Sequence, residues 1–125
     1  MVGCGPAREV PGGGACVEAF ERLDVYRVSV ELDELLSSAL RGCRGPDIDQ
    51  LDRAMGSVLN NIAEAAVHPA SPNKSRIFRL ALGEAAECLS LIARLERRGQ
   101  LQRLTYNRAR SLNERVIRML RRLSA

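Results

Sequence analysis

Residues 46–67 read PDIDQLDRAMGSVLNNIAEAAV, and this segment decides the fold class. Its larger apolar side chains recur at alternating steps of three and four residues, which places them along one face of an α-helix. Aspartates occupy its first turns, where the positive end of a helix dipole favours negative charge. We therefore predict a helix over residues 46–67. Its apolar face is formed by Ile48, Leu51, Met55, Val58, Ile62 and Ala65.

The same helical spacing continues on both sides of this segment and predicts three further helices. Glycine and proline residues separate the four segments, and both residue types interrupt regular helices. No alternating pattern of the kind that predicts β-strands competes with the helical one. The first of these helices is predicted from Phe20 onward and is stopped by Gly42, Gly45 and Pro46, and the other two are predicted over residues 72–98 and 101–124.

The boundaries of the third helix carry clear local signals. Ser71 is predicted as its N-cap, with Pro72 in the first helical position and Gly99 as the C-cap. Four helices of about 20 residues or more, joined by short loops, must pack as antiparallel neighbours. The predicted fold is therefore all-α, an antiparallel up-and-down four-helix bundle over residues 18–125. Residues 1–17 are rich in glycine and proline and are predicted to form a flexible N-terminal arm.

The third helix is apolar on almost all sides. Ile77, Leu80 and Leu91 lie outside its main apolar face, whereas a bundle helix needs only one buried stripe. We interpret this excess as a second packing surface, located between subunits. The chain is therefore expected to form a homo-oligomer.

Positive charge is concentrated at the C-terminal end of the sequence. The net charge is +4, but residues 94–125 alone hold ten arginines against two glutamates. A concentrated positive field attracts polyanions or an acidic partner surface. The chain has two tyrosines, two phenylalanines and no tryptophan, so base stacking should contribute little. Any nucleic-acid binding is expected to depend on charge and shape.

Arginines of the last helix are the candidate nucleic-acid-binding residues. Four of them share one helical face, and three lie on an adjacent face. Planar guanidinium groups bind phosphate through paired donors, and a row of them can follow a nucleic-acid backbone. The alternatives are a solvated face, or pairing with acidic surfaces of a partner or a sister subunit. The first face carries Arg108, Arg115, Arg118 and Arg122, and the second carries Arg103, Arg110 and Arg121.

A polar cluster accompanies the apolar face of the second helix. Three of its members follow one another at steps of four and three residues, which places them on one side of the helix. We interpret the cluster as a hydrogen-bonded network that fixes helix register and is completed by the third helix. The alternative is a binding pocket. The residues concerned are Arg53, Ser57, Asn61 and Glu64 of the second helix and Arg79 and Glu87 of the third.

Catalysis, metal binding and membrane insertion find no support in the sequence. The chain has one histidine, His68, and lacks the paired Glu-x-x-His motifs of di-iron bundles. Its four cysteines are scattered, and no serine or cysteine has an evident general base. No apolar run reaches the roughly 18 residues that span a bilayer, and no secretory signal is apparent. We predict a cytoplasmic protein that is not an enzyme, with no catalytic residue, metal site or cofactor.

Two blocks in the second helix carry a family resemblance. They read QLDRA over residues 50–54 and SVLNNIAE over residues 57–64. Together they resemble the Q-L-x-R-A…S-[IV]-x-x-N-I-A-E-G signature of bacterial four-helix-bundle proteins. These are the proteins encoded in ribosomal RNA intervening sequences, together with the accessory variability determinants of diversity-generating retroelements. Supporting similarity lies in FERLDVY at residues 20–26, in RLALG at residues 79–83 and in Glu87.

The resemblance implies a homopentamer with a positively charged surface. In retroelements, proteins of this kind associate with a reverse transcriptase and bind nucleic acid. The resulting hypothesis is a non-catalytic RNA-binding accessory protein that acts as a homo-oligomer and, in the retroelement branch, assists a reverse transcriptase. The alternative hypothesis is a protein–protein interaction scaffold whose basic fourth helix contacts acidic surfaces. The sequence departs from the family pattern at Ala65, Glu84 and Cys88, where glycine, serine and leucine are usual.

Overall fold

The computed structural model describes residues 23–125, and within that range all regular structure is helical. The all-α prediction is therefore confirmed for this range, with no strand and with boundaries close to the predicted ones. The flexible arm predicted for residues 1–17 and the start of the first helix predicted near Phe20 lie outside the described residues. The four helices are α1 (Asp24–Ala39), α2 (Pro46–Val67), α3 (Pro72–Arg97) and α4 (Arg103–Leu123).

The predicted N-cap of α3 is confirmed, whereas the C-cap is Arg98 and the predicted Gly99 is the residue that follows it. The Oγ atom of Ser71 accepts a hydrogen bond from the backbone N–H of Lys74 at 3.2 Å, as an N-cap does. After the helix, Gly99 adopts a positive φ of 80°, which residues with a side chain rarely adopt. Its N–H donates to the carbonyl of Glu96, and the N–H of Gln100 donates to the carbonyl of Leu95, both at 3.0 Å. This pair of hydrogen bonds is a Schellman motif, and it turns the chain towards α4.

Each helix packs against its neighbours in the chain, and α1 also packs against α4. The contact between α2 and α3 is the most extensive, whereas α1 and α2 touch least. Within residues 23–125, α1 makes no backbone contact with α3, and α2 makes none with α4. At one end Asp47, early in α2, binds Arg94, late in α3, at 2.8 Å. At the other end, Arg79 of α3 binds the carbonyl oxygen of Ser124 after α4 at 3.2 Å.

One apolar core joins all four helices. Two of the three residues predicted to lie outside the main apolar face of the third helix are part of this core. Ile77 is 2% exposed and Leu91 is 7% exposed, because α3 packs between α2 and α4 and therefore buries a broad stripe. Only Leu80, 48% exposed, remains on the outside. The apolar excess of α3 thus belongs mostly to the interior of this chain, which corrects the interpretation of a broad second packing surface.

A buried amide lies among the apolar residues of α4. Asn113 is fully buried, and its amide nitrogen donates to the carbonyl of Ala85 at 3.2 Å. Its amide oxygen accepts from the N–H of Leu89 at 3.1 Å, so both ends of the amide are satisfied by the backbone of α3. Sequence analysis missed this residue, although its position four residues after the core residue Ala109 was a signal. None of the helices in residues 23–125 is long and apolar enough to cross a membrane.

Candidate nucleic-acid interface

All seven candidate arginines of α4 are exposed, and three of them are paired with carboxylates. Two of the three pairs link α4 to another helix, and the third lies within α4 at a spacing of four residues. Exposed pairs of this kind contribute little to stability, but they neutralise the positive charge locally. The pairs are Arg103 with Glu96 at 3.6 Å, Arg108 with Glu31 at 3.0 Å and Arg110 with Glu114 at 3.0 Å.

The other four arginines lie in the second half of α4. Arg115, Arg118, Arg121 and Arg122 form no ion pair with any carboxylate in residues 23–125. Arg115, Arg118 and Arg122, together with Met119, line a shallow depression of about 170 Å³. We call these three arginines and their depression the arginine cradle. Three of the four arginines predicted to share one face therefore line the same depression. The fourth, Arg108, is instead bound to Glu31.

The position of the cradle on α4 follows from the amphipathic pattern of this helix. The buried face holds α4 against α1 and α3, which turns the cradle arginines towards solvent. Arg121 and Arg122 lie in the last turn, where the negative end of the helix dipole stabilises cations. The dipole partly offsets the repulsion among the neighbouring guanidinium groups, and a bound anion would offset it further. The buried face is formed by Ala109, Leu112, Asn113, Val116 and Leu120.

An apolar recess adjoins the cradle, between the start of α1 and the end of α4. It has a volume of about 240 Å³ and shares Met119 and Arg122 with the cradle. We call it the terminal recess. A continuous surface therefore leads from three guanidinium groups to an apolar wall. The terminal recess is lined by Leu23, Asp24, Val25, Met119, Arg122 and Leu123.

The predicted polar network is divided into separate contacts. The amide nitrogen of Asn61 donates to the hydroxyl of Ser57 at 3.3 Å within α2. Glu64 lies 3.8 Å from the imidazole of His68, one turn further along the chain. Arg79 faces away from α2 and binds the end of α4. The side of α2 that carries Ser57, Asn61 and Glu64 is partly or fully exposed, so burial does not force these side chains into one network.

The two remaining members of the predicted network line a groove between α2 and α3. Glu87 accepts a hydrogen bond from the amide nitrogen of Gln50 at 2.6 Å, which is the one contact between the helices in this cluster. Arg53 is exposed and lines the same groove, with Ser57 and Glu84, over a volume of about 260 Å³. Sequence analysis did not assign Gln50 to the cluster, although it lies one turn before Arg53.

A groove of opposite charge lies between α1 and α2. It has a volume of about 300 Å³, and Asp33, Asp49 and Asp52 line it above an apolar floor that includes Leu36 and Ile48. Burial raises the pKa of Asp33 above its ordinary value, and the negative charges of Asp52 and Glu34 raise it further. The groove is therefore unsuited to a polyanion.

Comparison with protein families now identifies the chain. The family model of the 23S rRNA-intervening sequence protein matches residues 21–122. The chain belongs to this family. The match takes in α1, α2, α3 and all but the last residue of α4, and it includes the cradle. It confirms the ribosomal RNA branch of the resemblance, while the link to retroelements stays a prediction. A search of curated proteins found none that matches this chain.

The remaining candidate groups of this 23S rRNA-intervening sequence protein are the cysteines and metal-binding side chains. Cys88 is fully buried in the core, and burial is the main cause that raises the pKa of its thiol to about 12. Cys43 is partly exposed, and both thiols are free. Among residues 23–125, no three His, Cys, Asp or Glu side chains gather in a way that could hold a metal ion.

Proposed function

We propose that this 23S rRNA-intervening sequence protein is a non-catalytic RNA-binding protein whose arginine cradle contacts phosphate groups. One observation carries the proposal: three exposed arginines face one depression and have no carboxylate partner within residues 23–125. The family takes its name from an intervening sequence of 23S rRNA, and this supports RNA as the polyanion.

The chemistry of the cradle favours contact with phosphate over contact with bases. Each guanidinium presents a planar set of donors that matches two phosphate oxygens. Aromatic residues make up 3% of the chain, so stacking platforms of the kind used by single-strand-binding modules are scarce. Binding should therefore tolerate many sequences and weaken steeply as salt is added.

The proposal includes an antiparallel up-and-down bundle that assembles into a homo-oligomer. Contacts of Asp47 with Arg94 and of Arg79 with Ser124 bring the start of one helix beside the end of the next, as antiparallel packing requires. Val67 and Leu80 expose 45% and 48% of their surfaces and are available for contact with a second copy. A pentamer that assists a reverse transcriptase is the form implied by the resemblance to retroelement proteins. Light scattering would measure the subunit number.

A second candidate function is a scaffold that binds acidic proteins. It is favoured by the ion pairs in the first half of α4, because there the same type of side chain binds carboxylates. Acidic side chains of a partner would then occupy the cradle. This function requires a stable complex with an acidic protein that RNA does not displace.

RNA affinity across a salt series tests the leading proposal. In the cradle variant, Arg115, Arg118 and Arg122 are all changed to Gln. For single-stranded RNA, loss of three phosphate contacts should lower the slope of log affinity against log salt by about two units. The control variant changes three other arginines and loses the same charge, but each of these already has a carboxylate partner. The control substitutions are R103Q, R108Q and R110Q.

The two variants give opposite expectations. The cradle variant should lose most of its RNA affinity, whereas the control should retain most of it. Equal losses in both variants would show that binding depends on total charge and would contradict a localised site. Circular dichroism of each variant confirms that the helices are intact, since all six side chains are exposed.

A further inference from the structure

The arginine cradle and the terminal recess adjoin each other. Together they form one surface with a cationic part and an apolar part. Met119 and Arg122 line both, so the two are contiguous within residues 23–125. One part offers guanidinium donors, and the other offers the apolar side chains of Leu23, Val25 and Leu123. A ligand that suits both parts has an anionic group attached directly to a body with apolar faces.

A nucleotide has these two parts, because its anionic phosphate is joined to a ribose and a planar base. The two volumes, about 170 Å³ for the cradle and about 240 Å³ for the recess, place the smaller space at the arginines and the larger one at the apolar side chains. Among the described residues of the lining, the one carboxylate belongs to Asp24, which lies 3.8 Å from the guanidinium of Arg27 and can also accept from hydroxyl or amino donors of a nucleoside.

Charge distinguishes a terminal phosphate from an internal one. A phosphodiester inside a strand carries one negative charge, whereas a phosphomonoester at a strand end carries nearly two at neutral pH. Three guanidinium groups facing one depression concentrate more positive charge than a single diester neutralises. Coulomb attraction therefore favours the monoester at this position.

We propose that the arginine cradle and the terminal recess bind a phosphorylated end of an RNA strand. The terminal phosphate lies among Arg115, Arg118 and Arg122, and the nucleoside that carries it lies against Met119 and Leu123. This inference rests on the proposed RNA-binding function and adds to it a preference for a terminal phosphate over an internal one. The shared chemistry is a nucleoside monophosphate, which either an RNA end or a free mononucleotide supplies.

Calorimetric titration of the full chain with two oligouridylates tests the preference. One is a hexauridylate with a 5′-terminal phosphate and the other is a heptauridylate without one, so both carry six phosphate groups but only the first has a monoester. We expect the hexauridylate with the monoester to bind roughly tenfold more tightly, the order given by one additional unit charge near partly solvated guanidinium groups. In the variant with Arg115, Arg118 and Arg122 changed to Gln, the two oligouridylates should bind equally.

A second pair of variants tests the recess separately from the cradle. Leu123→Asn removes an apolar wall residue that is 38% exposed, so the fold should tolerate the change. It should reduce affinity for uridine 5′-monophosphate several-fold while leaving the affinity for inorganic phosphate unchanged. Leu104→Asn, on the same helix but 82% exposed and outside the recess, should change neither.

Each contrary result has a distinct meaning. Equal binding of the two oligouridylates, with loss of both in the cradle variant, would overturn the preference for a terminal phosphate while supporting RNA binding. Binding of neither oligouridylate would overturn both proposals. If inorganic phosphate bound as tightly as uridine 5′-monophosphate, the recess would make no contribution, and the assignment of the nucleoside would be overturned.

Discussion

Arg79 of α3 donates a hydrogen bond from its Nη1 atom to the carbonyl oxygen of Ser124, over 3.2 Å. Ser124 is the C-cap of α4, and its own N–H is bound to the carbonyl of Leu120. The last turn of α4 carries Arg122, a residue of both the cradle and the recess. Arg79 therefore fixes the end of the helix on which the candidate site lies, without itself lining that site.

Removing this anchor should loosen the end of α4. We expect Arg79→Met to increase hydrogen exchange at Leu123 and Ser124 and to weaken RNA binding by a few-fold. The overall stability should fall by no more than about 1.5 kcal/mol, because the hydrogen bond is only partly buried. Exchange measured by mass spectrometry and RNA affinity measured by anisotropy give the two readouts.

Arg76→Met is the matched control for this substitution. Arg76 is exposed on the same helix, and within residues 23–125 its guanidinium binds only the nearby side chain of Asn73. Arg76→Met removes the same charge without releasing α4. If both variants lost RNA affinity equally, charge would explain the loss, and the anchoring role of Arg79 would be refuted.

Asn113 should matter to stability more than any exposed polar residue of α4. Asn113→Ala removes two hydrogen bonds to α3 and leaves a small cavity, and we expect a loss of about 1–3 kcal/mol. Asn113→Asp should be worse at neutral pH, since it buries a charge and places a carboxylate oxygen against the carbonyl of Ala85. Urea unfolding measures both changes. Asn107→Ala, at an exposed position of α4, should have almost no effect; comparable losses at both positions would contradict this account.

The helices could be predicted because their information is local. The spacing of apolar residues, Ser71 before α3 and Gly99 after it each depend on a few neighbouring positions. The contacts of polar side chains could not be predicted, because they depend on which helices become neighbours. The sequence alone could not indicate that Arg108 meets Glu31, 77 positions away, while Arg115 meets no carboxylate in residues 23–125. The sequence therefore predicted only a row of arginines on the last helix. Which of them pair with carboxylates and which form the cradle became clear from the three-dimensional structure.

Asp33 should oppose folding at neutral pH. Its pKa is raised above the ordinary value of 3.8, first by burial and then by Asp52 and Glu34. A raised carboxyl pKa means that its stabilising contribution is present below the unfolded-state pKa and is lost as pH rises through the folded-state value. Asp33→Asn should therefore stabilise the protein at pH 7, by less than about 1 kcal/mol because the side chain is partly solvated.

Urea midpoints at two pH values test this sign. The gain from Asp33→Asn should be present at pH 7 and should disappear near pH 3, where the carboxyl of the natural residue is protonated in both states. Asp52→Asn should give a smaller gain in stability, since it removes only the second cause of the raised pKa of Asp33. A loss of stability in Asp33→Asn at pH 7 would show that this carboxylate has a stabilising partner.

The two cysteines of the described range should differ sharply in reactivity. The Cys88 thiol is buried and has a pKa of about 12, so almost no thiolate forms at pH 8. We expect iodoacetamide to modify Cys43, which is partly exposed, and to leave Cys88 unmodified in the native protein. Peptide mass spectrometry measures each site, and urea should make both react. Equal labelling rates without urea would mean that the core opens readily.

Under the proposed RNA-binding function, the unequal pairing of arginines along α4 should also affect how an RNA strand arrives. In the first half of the helix, pairing with Glu31, Glu96 and Glu114 lowers the positive potential, whereas the arginines of the second half form no ion pair within residues 23–125 and project a stronger field. Such a field acts over about 8 Å at physiological salt, which is farther than any hydrogen bond reaches. We therefore expect an incoming strand to be drawn towards the C-terminal end of α4 before it touches the protein. Ionic strength should accordingly change the rate of encounter more than the lifetime of the finished complex.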